Sequence, residues 1–345
     1  MSLHEEILEQ PDRLRGMMAA QRGLVETIAA EIRRREVQYA FLAARGTSDN
    51  AGRYANYLWG SQNRLPVALA TPSLFTLYQQ PPRLQNALVV GISQSGQSPD
   101  IVSVLEEGKR QGNLTLAMTN SPNSPLAEAA DFVVDLMAGP ERAVAATKTY
   151  TTELMTIAML SAALAQDEAL WAELEKVPAW AQEVYQQADF IQQTVQRYRY
   201  MQQCVVLGRG FNYATAFEWA LKLKELTYTL AEPYSSADFQ HGPMAMITSG
   251  FPVLAVAVRG KILQSVLESL EHLHRDLQAE LVVVSNAPET RPMAQAVLEI
   301  PAAVPEWLSP IVGIIPAQLF AYHLTLARGY NPEAPRSIQK VTETK

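Results

Sequence analysis

One pattern of buried-looking strands occurs twice along this chain of 345 residues. Leu42-Ala-Ala-Arg-Gly46 is answered by Val205-Val-Leu-Gly-Arg-Gly210, the strand at 87–92 by Pro252–Val258, Leu114–Met118 by Leu281–Ser285, and Phe132–Leu136 by Val297–Ile300, at an offset of about 164 residues. A period of that length describes two copies of one domain-sized unit, not a solenoid. Within each copy the strand-like runs alternate with helical stretches such as 51–59 and 100–111. That alternation implies a parallel sheet covered on both faces. The predicted fold class is therefore α/β, with two tandem doubly wound parallel sheets, each flanked by helices.

Around the repeat the chain divides into five stretches. Residues 1–34 read as two N-terminal helices, the first broken at Pro11 and the second covering Arg22 to Arg34. Residues 35–165 form the first domain, 166–199 a helical connector with a break at Pro178, 200–335 the second domain and 336–345 a C-terminal tail. The net charge of −7 argues against a nucleic-acid or acidic-membrane partner. A single cysteine, Cys204, in the apolar run Cys204-Val-Val-Leu207, leaves no intrachain disulfide or cysteine-based zinc site and reads as buried and inert. No apolar stretch is expected to reach membrane-spanning length, and the acidic N-terminus does not read as a signal peptide, so a cytoplasmic location is expected.

Chemistry concentrates in three places. The central strand of the first copy runs straight into Ser93-Gln-Ser-Gly-Gln-Ser98 and then a helix start. Free N–H groups and the positive end of the helix dipole attract an anion there, and Ser93, Ser95 and Ser98 add hydroxyl donors. Neither the P-loop spacing nor G-x-G-x-x-G is present, which points to a small phosphorylated ligand without a nucleotide; the plain alternative is a serine-rich helix cap. The second copy has Arg259-Gly-Lys-Ile-Leu263 instead, without the hydroxyls, so a site between the halves is the expectation. In that copy Glu218, Lys222 and Glu225 share one helix face, which reads either as a solvated ion-paired face or as part of a site. A polar loop over 232–243 then delivers His241, an acid/base suited to neutral pH, although a loop histidine is commonly just a surface residue. His272 and His274 sit on a charged helix and read as solvated. No metal-ligand spacing is found, so neither a metal nor any other cofactor is expected.

Taken together, Arg45-Gly-Thr-Ser48, Ser93-Gln-Ser-Gly-Gln-Ser98, Val144-Ala-Ala-Thr-Lys148, Glu218 to Glu225, Gln240-His-Gly-Pro243 and Pro335-Arg336 with Lys340 resemble the isomerase half of glucosamine-6-phosphate synthase, a pair of sugar isomerase (SIS) domains. Six motifs recur in order over residues 35–345. The resemblance implies a phosphosugar ligand, with Thr47, Ser93, Gln94, Ser95 and Ser98 at its phosphate and Ser48 and the backbone near Val144 toward the sugar. It further implies Glu225 as the base moving a proton between C1 and C2, His241 as the ring-opening acid/base and Lys340 at the carbonyl end. Lys222 is expected in the catalytic set and Glu218 among the substrate-binding residues. It also implies a homodimer in which His241 acts across the interface.

The chain departs from the synthase pattern at Arg45, Gln97, Ser98 and Ala146, and no stretch resembles the glutaminase that supplies ammonia in the synthase. A retained isomerase set without that ammonia source resembles the stand-alone SIS deaminases, which convert glucosamine 6-phosphate to fructose 6-phosphate and ammonia. Three alternatives stand beside this reading: an isomerase or deglycase for another amino-sugar or fructosamine phosphate, a synthase-like isomerase lacking the glutaminase, and a sugar-phosphate sensor without turnover.

Overall fold

The computed structural model describes residues 2–340, and each copy of the repeat folds around one five-stranded parallel sheet. In chain order the first part of the molecule runs α1 (Leu3–Leu8), α2 (Gln10–Arg34), β1 (Tyr39–Ala43), α3 (Thr47–Asn63), β2 (Val67–Leu69), α4 (Ser73–Thr76), β3 (Ala87–Ile92), α5 (Pro99–Arg110), β4 (Leu114–Thr119), α6 (Pro125–Ala129), β5 (Phe132–Asp135) and α7 (Lys148–Ala165). There follow α8 (Glu168–Leu174), α9 (Val177–Val184) and α10 (Ala188–Thr194), then β6 (Gln203–Gly208), α11 (Tyr213–Thr227), β7 (Leu230–Ser235), α12 (Ser236–Phe239), β8 (Pro252–Ala257), α13 (Leu263–Arg275), β9 (Glu280–Ser285), β10 (Ala296–Glu299) and α14 (Ser309–Ala327).

The two sheets have the same strand order, β2-β1-β3-β4-β5 in the first and β7-β6-β8-β9-β10 in the second, with every pairing parallel. Each order reverses at one point, between β1 and β3 and between β6 and β8. The connections leaving two neighbouring strands diverge there and open a crevice beyond their C-terminal ends, where ligands of such sheets bind. β3 and β4 are buried along their whole length, which accounts for their unbroken apolar sequences.

The chain separates into two compact units. The first contains Asp12–Glu141, Lys148–Lys176 and the tail from Gln339; the second contains Met1–Pro11, Arg142–Thr147 and Val177–Ile338. The short segment Arg142–Thr147, although it precedes α7, packs with the second sheet's unit.

Several local expectations need correction. Pro11 does not end a helix: it is the second residue of α2, where its missing N–H costs nothing, and the break falls at Glu9. Pro178 likewise lies in the first turn of α9 instead of breaking a longer helix, and the connector is a series of short helices and 3₁₀ turns. The expected polar loop at 232–243 is in its first part strand β7, the edge of the second sheet. Pairing with β6 recruits Glu232, Pro233 and Tyr234 into a ladder that their propensities do not announce.

Finally, one stretch does have membrane-spanning length and composition. Glu306–Ala327 has a mean hydropathy of 1.4, but 78% of it is buried within the protein, so it serves as the core helix of the second unit.

Candidate active site

In the first unit, the crevice at the β1/β3 reversal is walled by the serine loop. Ser93 Oγ accepts from Gly96 N–H at 3.2 Å and Ser95 Oγ accepts from Gln97 N–H at 3.3 Å, leaving both hydroxyl protons to donate elsewhere. Ser98 is the residue that caps α5, yet its hydroxyl makes no capping bond, and Pro99 follows it with no N–H. The backbone N–H groups of Gln94, Ser95 and Ser98 also have no partner among the described residues. A serine-rich cap would spend its hydroxyls on the helix; this loop instead holds hydroxyl and amide donors free at a helix N-terminus, an arrangement suited to an anion.

Two further features keep that loop open. Gly96 has φ +64°, a conformation that glycine tolerates, and a Cβ there would overlap Ser124 Oγ at the start of α6. Asp100, fully buried in the first turn of α5, would repel an anion were it not paired with Arg45 Nε at 2.8 Å. Arg45 thus has a structural reason in this chain, and sequence reading saw it only as a departure. Thr47 opens α3 half-buried, while Ser48 is buried and donates to Glu153 Oε1 at 2.7 Å, an acid of α7 that sequence reading missed.

Lys340, expected at the carbonyl end of the substrate, is held in the first unit. Its ammonium pairs with Glu141 Oε2 at 2.7 Å, and Glu141 Oε1 accepts from Thr149 N–H at 3.1 Å. Glu141 is buried, so Lys340 is anchored on a carboxylate shielded from solvent. The five residues after Lys340 lie outside the described residues.

The second unit holds the ionisable helix. Lys222 and Glu218 are almost completely buried, 1% and 0% exposed, and Glu225 is 24% exposed. Lys222 Nζ lies 3.3 Å from Glu218 Oε1 and 2.6 Å from Glu225 Oε2. Burial alone pushes the ammonium toward neutrality, but the Glu218 and Glu225 carboxylates outweigh it and raise its pKa above the ordinary lysine value. The expectation of a solvated ion-paired face is therefore overturned: these three groups form a buried relay that presents one carboxylate, Glu225, at its edge.

The end of α11 is braced by Arg328, which sequence reading did not single out, and by Arg336 of the Pro335-Arg336 motif. Arg328 donates to Thr227 O at 2.6 Å and to Thr229 Oγ1 at 2.9 Å, and it also reaches Met201 O. Arg336 stacks over Tyr228, the residue that follows α11, at 3.6 Å, and its N–H donates to the Tyr228 hydroxyl at 2.9 Å. His241 follows α12 on an exposed turn, and its ring has no partner among the described residues. No bond joins it to Glu225 or to any other candidate.

The segment around Val144 is fixed from below. The buried carboxylate of Glu6 accepts from Arg142 N–H at 2.5 Å and from Ala143 N–H at 3.3 Å, and Gln318 of α14 donates to Thr147 O at 3.4 Å. Only a contact between α1 and a segment over a hundred residues away reveals Glu6. No group of three or more metal-ligating side chains is found among the described residues.

The second copy's counterpart of the serine loop is already filled. Glu306 Oε2 accepts from Lys261 N–H at 2.8 Å, and a Cβ on Gly260 would overlap that carboxylate. The protein's own carboxylate sits where an incoming anion would otherwise meet the loop.

The model of the SIS domain matches residues 35–163 and 199–328. The chain belongs to the SIS domain family. Both copies of the repeat are SIS domains. A candidate phosphosugar isomerase from Silicibacter pomeroyi is 31% identical, with a TM-score of 0.86 over 96% of this chain and 99% of that one. The C-terminal domain of glucosamine-fructose-6-phosphate aminotransferase from Francisella tularensis is 28% identical, with a TM-score of 0.86 over 95% and 96% of the two chains. The isomerizing glutamine–fructose-6-phosphate aminotransferase of Thermus thermophilus is 33% identical over 97% of this chain and 58% of its own length. The chain thus spans a little over half the length of the curated relatives it matches.

Proposed function

We propose that this protein isomerises an amino-sugar phosphate, converting glucosamine 6-phosphate to fructose 6-phosphate with release of ammonia. The buried Glu218–Lys222–Glu225 relay carries this reading, because it supplies what aldose–ketose chemistry needs most: one accessible carboxylate, oriented by a fixed cation. The serine loop takes the phosphate. His241 opens the sugar ring by moving a proton between the ring oxygen and the anomeric hydroxyl.

Glu225 then removes the C2 proton and returns it to C1, which turns the 2-amino aldose into the imine of the ketose. Water adds to C2 of that imine, ammonia departs, and the C2 carbonyl of fructose 6-phosphate remains. Lys340, positioned by its ion pair with Glu141, stabilises the negative charge that develops on the sugar oxygen during proton transfer.

The exposed, unpartnered ring of His241 supports a homodimer in which it serves the neighbouring subunit. The acidic net charge and the buried apolar helix are consistent with a protein that works in the cytoplasm.

The test is direct. Purified protein given glucosamine 6-phosphate releases ammonia and forms fructose 6-phosphate; Glu225→Gln lowers kcat by about 10²–10⁴-fold while leaving ligand binding nearly intact. Ser95→Ala raises KM with kcat largely preserved. Turnover confined to fructosamine phosphates identifies a deglycase instead, and binding without turnover across amino-sugar phosphates identifies a sensor.

A further inference from the structure

The second unit contains an open cavity of about 620 Å³ off the C-terminal ends of β9 and β10, a volume suited to a small metabolite. It does not include the α11 relay or His241. Its walls are the loop after β8 with Arg259, the segments around Asn286 and Arg291, the end of α9 with Glu183, the 3₁₀ turn that carries Gln187, and Phe190 of α10.

These walls are held in place by bonds that leave little slack. The Gln187 side chain is stitched to the edge strand β10: its Oε1 accepts from Glu299 N–H at 2.8 Å and its amide donates to Glu299 O. Asn286, mostly buried, accepts from Arg259 N–H at 2.8 Å and donates to Val304 O at 3.1 Å. Ser285 Oγ donates to Ala257 O at 2.5 Å. A cavity walled by such pairings is preformed and does not need to be ordered by its ligand.

The charges inside it do not all cancel. Arg291 pairs with Glu299 at 2.6 Å, which neutralises both. The guanidinium of Arg259 and the carboxylate of Glu183 have no ion-pair or hydrogen-bond partner among the described residues. The anion niche of the Arg259 loop itself is taken by Glu306, so that cation is left for the cavity. One unclaimed cation and one unclaimed anion, beside the half-exposed Phe190 and Val297, describe the complement of a molecule that carries both charges.

We propose that this cavity is a second ligand site, separate from the isomerase machinery, which binds a small amine-bearing phosphate or carboxylate with its anionic group on Arg259 and its ammonium on Glu183. The carbon skeleton packs against Phe190 and Val297. The duplicated domain has in this way kept a ligand site at the C-terminal edge of its sheet, displaced from the strand-order reversal toward the outer strands.

The proposal is tested by titration calorimetry on the full chain with two non-sugar probes: phosphoethanolamine, an amine-bearing phosphate, and β-alanine, an amine-bearing carboxylate. Inorganic phosphate and ethylamine serve as the two half-ligands. In the Ser95→Asp chain, whose serine loop no longer takes a phosphate, one probe still binds once per chain and more tightly than either half-ligand, and the one that binds identifies the anionic group. Arg259→Glu and Glu183→Lys, both at exposed positions, each weaken binding at least tenfold, whereas Ser95→Asp in the first unit leaves it unchanged. The proposal is overturned if neither probe binds at millimolar concentration. It is equally overturned if Arg259→Glu binds as well as the parent, or if binding is insensitive to Glu183→Lys. Because the probes are not sugars, failure here leaves the isomerase reading standing, and loss of isomerase activity in Glu225→Gln leaves this site standing.

Discussion

Lys222 has the most consequential environment of any single residue here: a lysine 1% exposed that remains charged because two carboxylates flank it. Its raised pKa gives a definite pH dependence. The ammonium's contribution to stability is fully present below the ordinary lysine value and is lost only as pH rises beyond it, so the relay stays locked throughout the neutral range. Truncation is severe for a different reason. Lys222→Met strands the buried Glu218 carboxylate, and breaking a buried pair costs about 3–5 kcal/mol. Urea unfolding will show a loss of that size. The double variant Lys222→Met with Glu218→Gln recovers part of it, because the stranded charge is gone, but it does not recover turnover. Stability and activity separate in this pair of variants, which a purely structural ion pair would not produce.

At the scale of elements, the decisive unit is β3, its loop and α5. β3 is buried throughout, α5 starts with Pro99, and the loop between them must turn sharply while keeping its donors free. Gly96 makes the turn possible. Gly96→Ala adds a left-handed backbone penalty of about 1–2 kcal/mol and also drives a methyl group into Ser124. The expected result is a lower melting temperature together with a raised KM for the phosphosugar, while the proton-transfer relay in the other unit keeps its geometry. A variant that lost stability with an unchanged KM would show that the loop's shape is not what holds the phosphate. α1 acts in a comparable way in the second unit: Glu6 fixes the segment at 142–147 through two backbone N–H groups, so a short N-terminal helix sets the shape of a distant loop.

For the molecule as a whole, two units with identical strand order have diverged in the loops that follow equivalent strands. One loop keeps its amides and hydroxyls free, and the other is closed by Glu306. Cys204 allows the second unit to be followed on its own. Its thiol is buried in β6 and pushed up to about 12, so the native protein resists alkylation at pH 8 and labels only when that unit opens. The sign of its pH effect follows: the folded state favours the protonated thiol, so this contribution is present below the usual thiol pKa and falls as pH rises toward 12. Alkylation with iodoacetamide against denaturant should therefore track unfolding of the second unit alone. Rapid labelling of the native protein at pH 8 would contradict that burial.

By itself the sequence determined the duplication, the parallel α/β class and the serine loop, because strand periodicity, turn residues and a repeat offset are local properties that survive without coordinates. It also placed Glu218, Lys222 and Glu225 on one helix face, since helical spacing dictates that. It did not determine whether that face met solvent or core, and the answer, a buried relay, came from β6, β7 and α14 closing around α11. It could not recognise β7, whose Glu232 and Pro233 belong to a strand only because β6 offers a ladder. Glu6, Glu141, Glu153, Glu306 and Arg328 were invisible for the same reason: each acts on a partner far along the chain. The tertiary structure decides such pairings, because the worth of a charge depends on what surrounds it once the chain has folded.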